Sequence, residues 1–216
     1  MSSENRIYVQ IIVLELGWLR AEQRDFMVAL SRDDRYNIIM GRNNGKPVTN
    51  NRNQIVKAFL HSPPDHEFLL MMDNDVVPRG NPLDYVEHDL DIVVFPCPIW
   101  RPAQGSESPV VWNIRLQDEE GHLVCGRIPA RGLREISEGG TGAMLIARRV
   151  LEHPAMRAPF VEEMDEYGVS TLGHDLAFCA RAREAGFRVW AALDCPCRHW
   201  DELDLSLVDE LFKQER

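Results

Sequence analysis

Long hydrophobic runs are missing from this chain. Apolar stretches such as Val9–Leu14 and Phe68–Met72 are far too short for a bilayer, which needs about 20 apolar residues. Positive charge is in deficit, with 24 Lys and Arg against 34 Asp and Glu and a net charge of −10. That balance argues against a general polyanion binder and leaves room for a local basic site. Cysteines number five, an odd count, and Met1–Arg6 has no signal-peptide pattern. Reduced thiols and a cytoplasmic setting are expected. There is no internal repeat, low-complexity tract or linker, and no G-x-G-x-x-G fingerprint. The 216 residues, 44% hydrophobic, suffice for one core, so 1–216 reads as a single domain.

What is present alternates between strand and helix patterns. Ile7–Leu14 reads as a first strand and Leu19–Leu30 as a helix. Tyr36–Met40 reads as a strand closed by Gly41, and Thr49 as the N-cap of a helix to about Leu60. Glu67–Met72 and Asp91–Phe95 read as buried strands, with a short helix at Pro82–Val86 between them. The stretch from Arg101 to Ser137 is irregular, with turn glycines at 105, 121, 126 and 132 and one plausible strand, Val110–Leu116. Thr141–Ala147 and Phe187–Leu193 read as strands. Arg148–Glu152, Asp175–Ala185 and Leu205–Phe212 read as helices. The alternation predicts an α/β sheet, mostly parallel in its first half, with ligands beyond the carboxyl ends of the strands.

Five apolar residues, Phe68–Met72, end in Asp73-Asn74-Asp75. Unpaired buried carboxylates are costly, so two acids at a strand end point to a divalent cation held by oxygens. A turn or helix cap is the plain alternative. Arg52, Ile55, Val56 and Phe59 share one helical face, which aims the Arg52 guanidinium inward. Its use is phosphate or carboxylate recognition, or an ion pair with Asp73 or Asp75. Asn53 sits beside it. Asp175, Phe178, Cys179 and Ala182 also share a face, so Asp175 is either a proton acceptor or an N-cap. Glu138-Gly139-Gly140-Thr141-Gly142 reads as a pocket wall or a tight bend, with Gly140 against the ligand. Cys195-Pro196-Cys197-Arg198-His199 lacks the C-x-x-C spacing of zinc sites, so His199 acts alone past a strand end. Arg127, Arg131, Arg134, Arg148, Arg149 and Arg157 cluster in the sequence. They are a nucleic-acid face only if they share one side, and otherwise a solvated surface balanced by glutamates.

In order, Pro47-Val48 leading to Arg52–Val56, Phe68–Asp75, Gly139–Ile146, Gly173–Cys179, Glu184–Val189 and His199 resemble a GT-A fold glycosyltransferase. The likeness is to family 2 and its relatives, of bacterial or phage type, and spans about residues 7–200 without the irregular middle. It implies a Rossmann-like α/β fold with a mostly parallel central sheet and a small antiparallel extension. It implies a UDP- or GDP-sugar donor, a hydroxyl acceptor and Mn²⁺ or Mg²⁺. By this resemblance the metal lies on Asp75 and His199, with Asp73 on the donor's ribose or sugar and also near the metal. Asp175 is the base of an inverting reaction. The family's Gly-Glu-Asp element here carries His174 in place of Glu. Glu15 and Arg20, past the first strand, stand where nucleotide-binding residues are found, without the usual Pro-x-Tyr/Arg-Asn pattern. The runner-up, a nucleotidyltransferase, ordinarily carries a glycine-rich basic loop that Leu14–Trp18 lacks.

Overall fold

The computed structural model describes residues 6–14, 19–100, 110–117, 123–124 and 131–200. Three parallel strands lead: β1 (Tyr8–Leu14), β2 (Asn37–Asn43) and β3 (His66–Asp73), with β1 in the middle. Helix α1 (Ala21–Leu30) joins β1 to β2, and α2 (Val48–Leu60) joins β2 to β3. The central sheet has seven strands in the order Leu133–Ile136, Val189–Ala192, Ile92–Val94, Ala143–Ala147, β3, β1, β2. Ala143–Ala147 runs antiparallel to both of its neighbours, and Leu133–Ile136 antiparallel to Val189–Ala192; the remaining pairings are parallel. Short two- and three-stranded antiparallel pieces surround it. Helices α3 (Arg148–Glu152) and α4 (His174–Glu184) complete the described helical elements, apart from short 3-10 turns.

The core follows from the strand pattern. Leu69, Leu70, Met71 and Met72 have no exposed surface, as a strand flanked on both sides and covered on both faces requires. The α2 stripe lies as its spacing predicts, with Arg52, Ile55, Val56 and Phe59 all buried. Among the described residues no helix is long and apolar enough to cross a membrane.

Several boundaries differ from expectation. Pro47, not Thr49, occupies the N-cap of α2, because its extended backbone already sets the entry into the helix. Strand β2 passes through Gly41 to Asn43, since its pairing with β1 continues to Leu14. The expected Val110–Leu116 strand is two strands, Val110–Trp112 and Ile114–Gln117. The break is Asn113, whose backbone N–H donates to the Cys97 carbonyl and whose Oδ1 accepts from the Cys97 N–H at 2.7 Å. The expected helix Leu205–Phe212 and the glycines at 105, 121 and 126 lie outside the described residues.

Two members of the arginine cluster are taken up by bonds within the fold. Arg148 is buried and donates to the carbonyls of His66, Phe59 and Pro63, tying α3 to the end of α2. Arg149 pairs with Asp89 and Asp91. Arg127 lies outside the described residues. A nucleic-acid surface built on this run loses two of its cations to structural bonds.

Candidate active site

Strand β3 ends at Asp73, level with Leu14 of β1. A two-residue turn, Asn74-Asp75, follows, and Val76–Pro78 then pairs with Cys197–His199. Backbone bonds fix this turn from several sides. The Asp73 N–H donates to the Gly142 carbonyl at 2.8 Å, and the Trp200 N–H donates to the Asp75 carbonyl at 2.9 Å. Leu14, Lys46, Pro47, Asn51, Asp73 and Asp75 line a cleft of about 540 Å³ at this strand end. That size suits a nucleotide-sized ligand.

The antiparallel pairing puts His199 opposite Val76 and so beside Asp75. Its Nδ1 lies 2.7 Å from the Pro98 carbonyl, which only accepts, so Nδ1 carries a proton. Nε2 then faces the Asp75 carboxylate, with 3.7 Å to Oδ2. Burial opposes charge on the ring, but the nearby Asp75 carboxylate and the bond to the Pro98 carbonyl prevail and lift its pKa to about 9. A cation on Nε2 would displace the proton there and leave the Nδ1 proton on the Pro98 carbonyl. An imidazole oriented through its other nitrogen, next to a partly exposed carboxylate, is a donor pair suited to a divalent cation. Among the described residues no three His, Cys, Asp or Glu side chains gather into a metal cluster. The remaining positions would therefore come from ligand oxygens and water, as Mg²⁺-type sites beside phosphates use. The residues fit Mn²⁺ or Mg²⁺ on those terms.

Asp73 is differently placed. One terminal nitrogen of Arg52 donates to both its oxygens, at 2.8 and 3.1 Å. The other terminal nitrogen donates to the Thr141 carbonyl at 3.1 Å. The inward-aimed cation is thus an ion pair, the second of the two uses its spacing allowed. Burial is the strongest influence on Asp73 and raises its pKa to about 6, against the pull of Arg52. Its side chain remains 29% exposed and available to a ligand hydroxyl. Asn53 points elsewhere: its amide donates to the Phe160 carbonyl at 2.8 Å and accepts from the Phe160 N–H at 3.1 Å. Glu15 lies outside the described residues.

Gly173 occupies the N-cap of α4, so Asp175 is inside the first turn and not a cap. Its Oδ1 accepts from the Leu176 N–H at 2.9 Å. Asp175 lines a second cleft of about 300 Å³ with Asn113, Arg115, Gly140 and Thr171. The Gly140–Gly142 segment connects the two clefts: Gly140 lines this one, while Thr141 and Gly142 hold Arg52 and Asp73. His174 packs edge-on against Phe160, 6.4 Å between ring centres. Burial, then the Arg52 guanidinium, pushes its pKa down, so it is neutral near pH 7. Cys195 and Cys197 are buried free thiols, both raised in pKa chiefly by burial, and Cys197 Sγ bonds the Phe95 carbonyl.

Two residues of this region escaped sequence reasoning. Gln23 reaches the acidic turn from α1, and Asn113 shapes the Gly140 wall. A lone polar residue in an amphipathic helix and one inside a predicted strand give no signal of such distant partners.

No family model matches the sequence, and no curated protein matches it. Solved structures do. A197 from STIV is 18% identical over 90% of this chain and 86% of its own, with a TM-score of 0.57. GalNAc-T7, solved with UDP, GalNAc and Mn²⁺, is 10% identical over 93% of this chain, with a TM-score of 0.52. This chain spans only 45% of that protein. The inositol-1-phosphate CTP transferase from T. maritima is 13% identical over 97% of this chain and 96% of its own, with a TM-score of 0.48. At these identities the likeness is one of fold. The architecture is GT-A: a mixed α/β sheet, mostly parallel, with small antiparallel additions.

Proposed function

We propose that this chain is a metal-dependent glycosyltransferase, similar to family 2, that moves a sugar from a UDP- or GDP-sugar to a hydroxyl acceptor. The observation that carries the reading is the Asp75–His199 pair, with the histidine oriented by the Pro98 carbonyl, at a strand-end cleft of about 540 Å³. When bound, Mn²⁺ or Mg²⁺ would neutralise charge on the leaving diphosphate.

The chain's own residues do the rest. Asp75 and His199 hold the cation. Asp73, kept in place by Arg52, accepts a hydroxyl of the donor's ribose or sugar. Lys46 adds positive charge at the cleft rim, where a diphosphate would lie. In the cleft that Gly140 also lines, Asp175 takes the proton of the acceptor hydroxyl. That oxygen attacks the anomeric carbon as the bond to the diphosphate breaks, with inversion. The acceptor occupies the cleft of about 300 Å³ that Asp175 lines.

The test is a screen of nucleotide-sugars with Mn²⁺, followed by product analysis. Free nucleoside diphosphate is the expected product. Pyrophosphate release from a nucleoside triphosphate and a sugar phosphate identifies a nucleotidyltransferase instead. Absence of both Mn²⁺ and nucleotide-sugar binding by calorimetry identifies a binding module that shares only the fold.

A further inference from the structure

Gln23 is the third residue of α1 and has no exposed surface. The only other buried residue of that helix is Leu30. An apolar side chain would fill this position without the cost of burying an amide. The donor end of the amide is used instead, while Oε1 has no partner. Nε2 lies 2.6 Å from the Asp73 carbonyl and 3.2 Å from the Val76 carbonyl. Carbonyl oxygens only accept, so the orientation of the amide is fixed by chemistry: its two N–H bonds meet two acceptors. Those acceptors are the residues flanking the Asn74-Asp75 turn, one at each end. Gly142 and Trp200 bond this turn through the backbone, and Gln23 is the side chain that spans both its ends.

We propose that Gln23 is a positioning residue of the cation site, setting where the Asp75 carboxylate stands relative to His199 Nε2. The identity of the ligand rests on the glycosyltransferase reading; the turn geometry that Gln23 controls does not. Outer partners that orient a ligating group typically change metal affinity by about 10- to 100-fold when removed.

The test uses the full chain, Mn²⁺ alone as the probe, and two variants. Gln23→Met keeps the length and removes both donors. Cooperative unfolding with Mn²⁺ dissociation weakened about 10- to 100-fold is expected. Gln23→Glu supplies a donor only while its carboxyl is protonated, and when ionised it repels both carbonyls. Its Mn²⁺ affinity relative to the wild-type chain at the same pH is therefore expected to recover as the pH is lowered from about 8 to about 6. A packing role leaves that ratio flat. Wild-type Mn²⁺ affinity in Gln23→Met, or a flat ratio in Gln23→Glu, overturns the proposal. If Gln23→Met does not fold cooperatively, the Gln23→Glu ratio decides alone.

If the wild-type chain binds no Mn²⁺, the metal-dependent reading fails, and Gln23 is judged by hydrogen exchange. The Trp200 amide, bonded to the Asp75 carbonyl, is then expected to exchange about tenfold faster in Gln23→Met while β3 amides stay protected. Unchanged Trp200 exchange overturns the positioning role.

Discussion

Arg52, only 3% exposed, gives one terminal nitrogen to both carboxylate oxygens of Asp73. The pair joins α2 to the end of β3 and leaves the acid facing the cleft. Breaking a buried pair from one side strands the other charge, at about 3–5 kcal/mol. Asp73 is partly exposed, so Arg52→Met is expected to cost about 3 kcal/mol at about pH 8. Without the guanidinium, the Asp73 pKa rises beyond its present value of about 6. A raised carboxylate is held protonated in the folded chain at lower pH, so the deficit shrinks as pH falls. Urea unfolding at about pH 5 and about pH 8 measures it. An equal deficit at both contradicts the pairing.

Gly140 is a second sharp constraint. A Cβ there would collide with Asn113 Nδ2 and stand 3.0 Å from its Cγ. Asn113 cannot swing aside freely, because its Oδ1 accepts from the Cys97 N–H and its backbone N–H donates to the Cys97 carbonyl. Gly140→Ala is therefore expected to destabilise by about 1–3 kcal/mol, the range for overpacking. The double variant Gly140→Ala with Asn113→Ala relieves the clash and recovers part of that loss. Thermal melts of the single and double variants decide it.

Local pattern carried the layout and little of the wiring. The run Phe68–Met72 and the stripe Ile55, Val56, Phe59 are periodic, and both are buried where the period puts them. Asp73, Asp75 and His199 were visible because each follows an apolar strand. Partnership was not visible. Arg52 suited phosphate as well as an ion pair, and only the fold brings it to Asp73. The Asn53 amide is taken by Phe160, 107 residues away, and the Gln23 amide by Asp73, 50 residues away. Arg148 looked like part of a basic surface, yet it is buried and ends among the carbonyls of His66, Phe59 and Pro63. Periodicity reports which face a residue takes; it does not report what stands opposite.

At the opposite end of the sheet's strands, Asp33 supplies a pH test of stability. Its carboxylate accepts from Arg35 Nε at 2.9 Å and from the Asn81 amide at 2.8 Å. The Arg35 bond is the main cause of its depressed pKa, about 2 against an ordinary 3.8. A depressed carboxylate stabilises the fold above its unfolded value and loses that contribution as pH falls toward the folded one. Arg35 is 39% exposed, which limits the effect to about 1 kcal/mol. Asp33→Ala is expected to be less stable by about that amount near neutral pH. Acid titration of both chains is expected to bring the two together between about pH 4 and about pH 2. A constant difference across that window removes the ion pair as its cause.

Asp175 provides the most direct test of chemistry against binding. It sits in the first turn of α4 and lines, with Gly140, the cleft of about 300 Å³. Its Oδ1 is engaged by the Leu176 N–H, and an asparagine oxygen can accept the same bond. Asp175→Asn is therefore expected to preserve the fold and the cleft at Asp73 and Asp75 while removing the proposed proton acceptor. Positioned general bases contribute about 10²- to 10⁴-fold to rate. Turnover is expected to fall by that factor with nucleotide-sugar and Mn²⁺ binding unchanged by calorimetry. Loss confined to KM would mean that Asp175 only orients the acceptor, and near-normal turnover would remove it from the reaction. Stereochemistry adds an independent reading, because a base on the acceptor side requires inversion at the anomeric carbon. Retention of configuration in the wild-type product would exclude Asp175 as the base even if the variant were inactive.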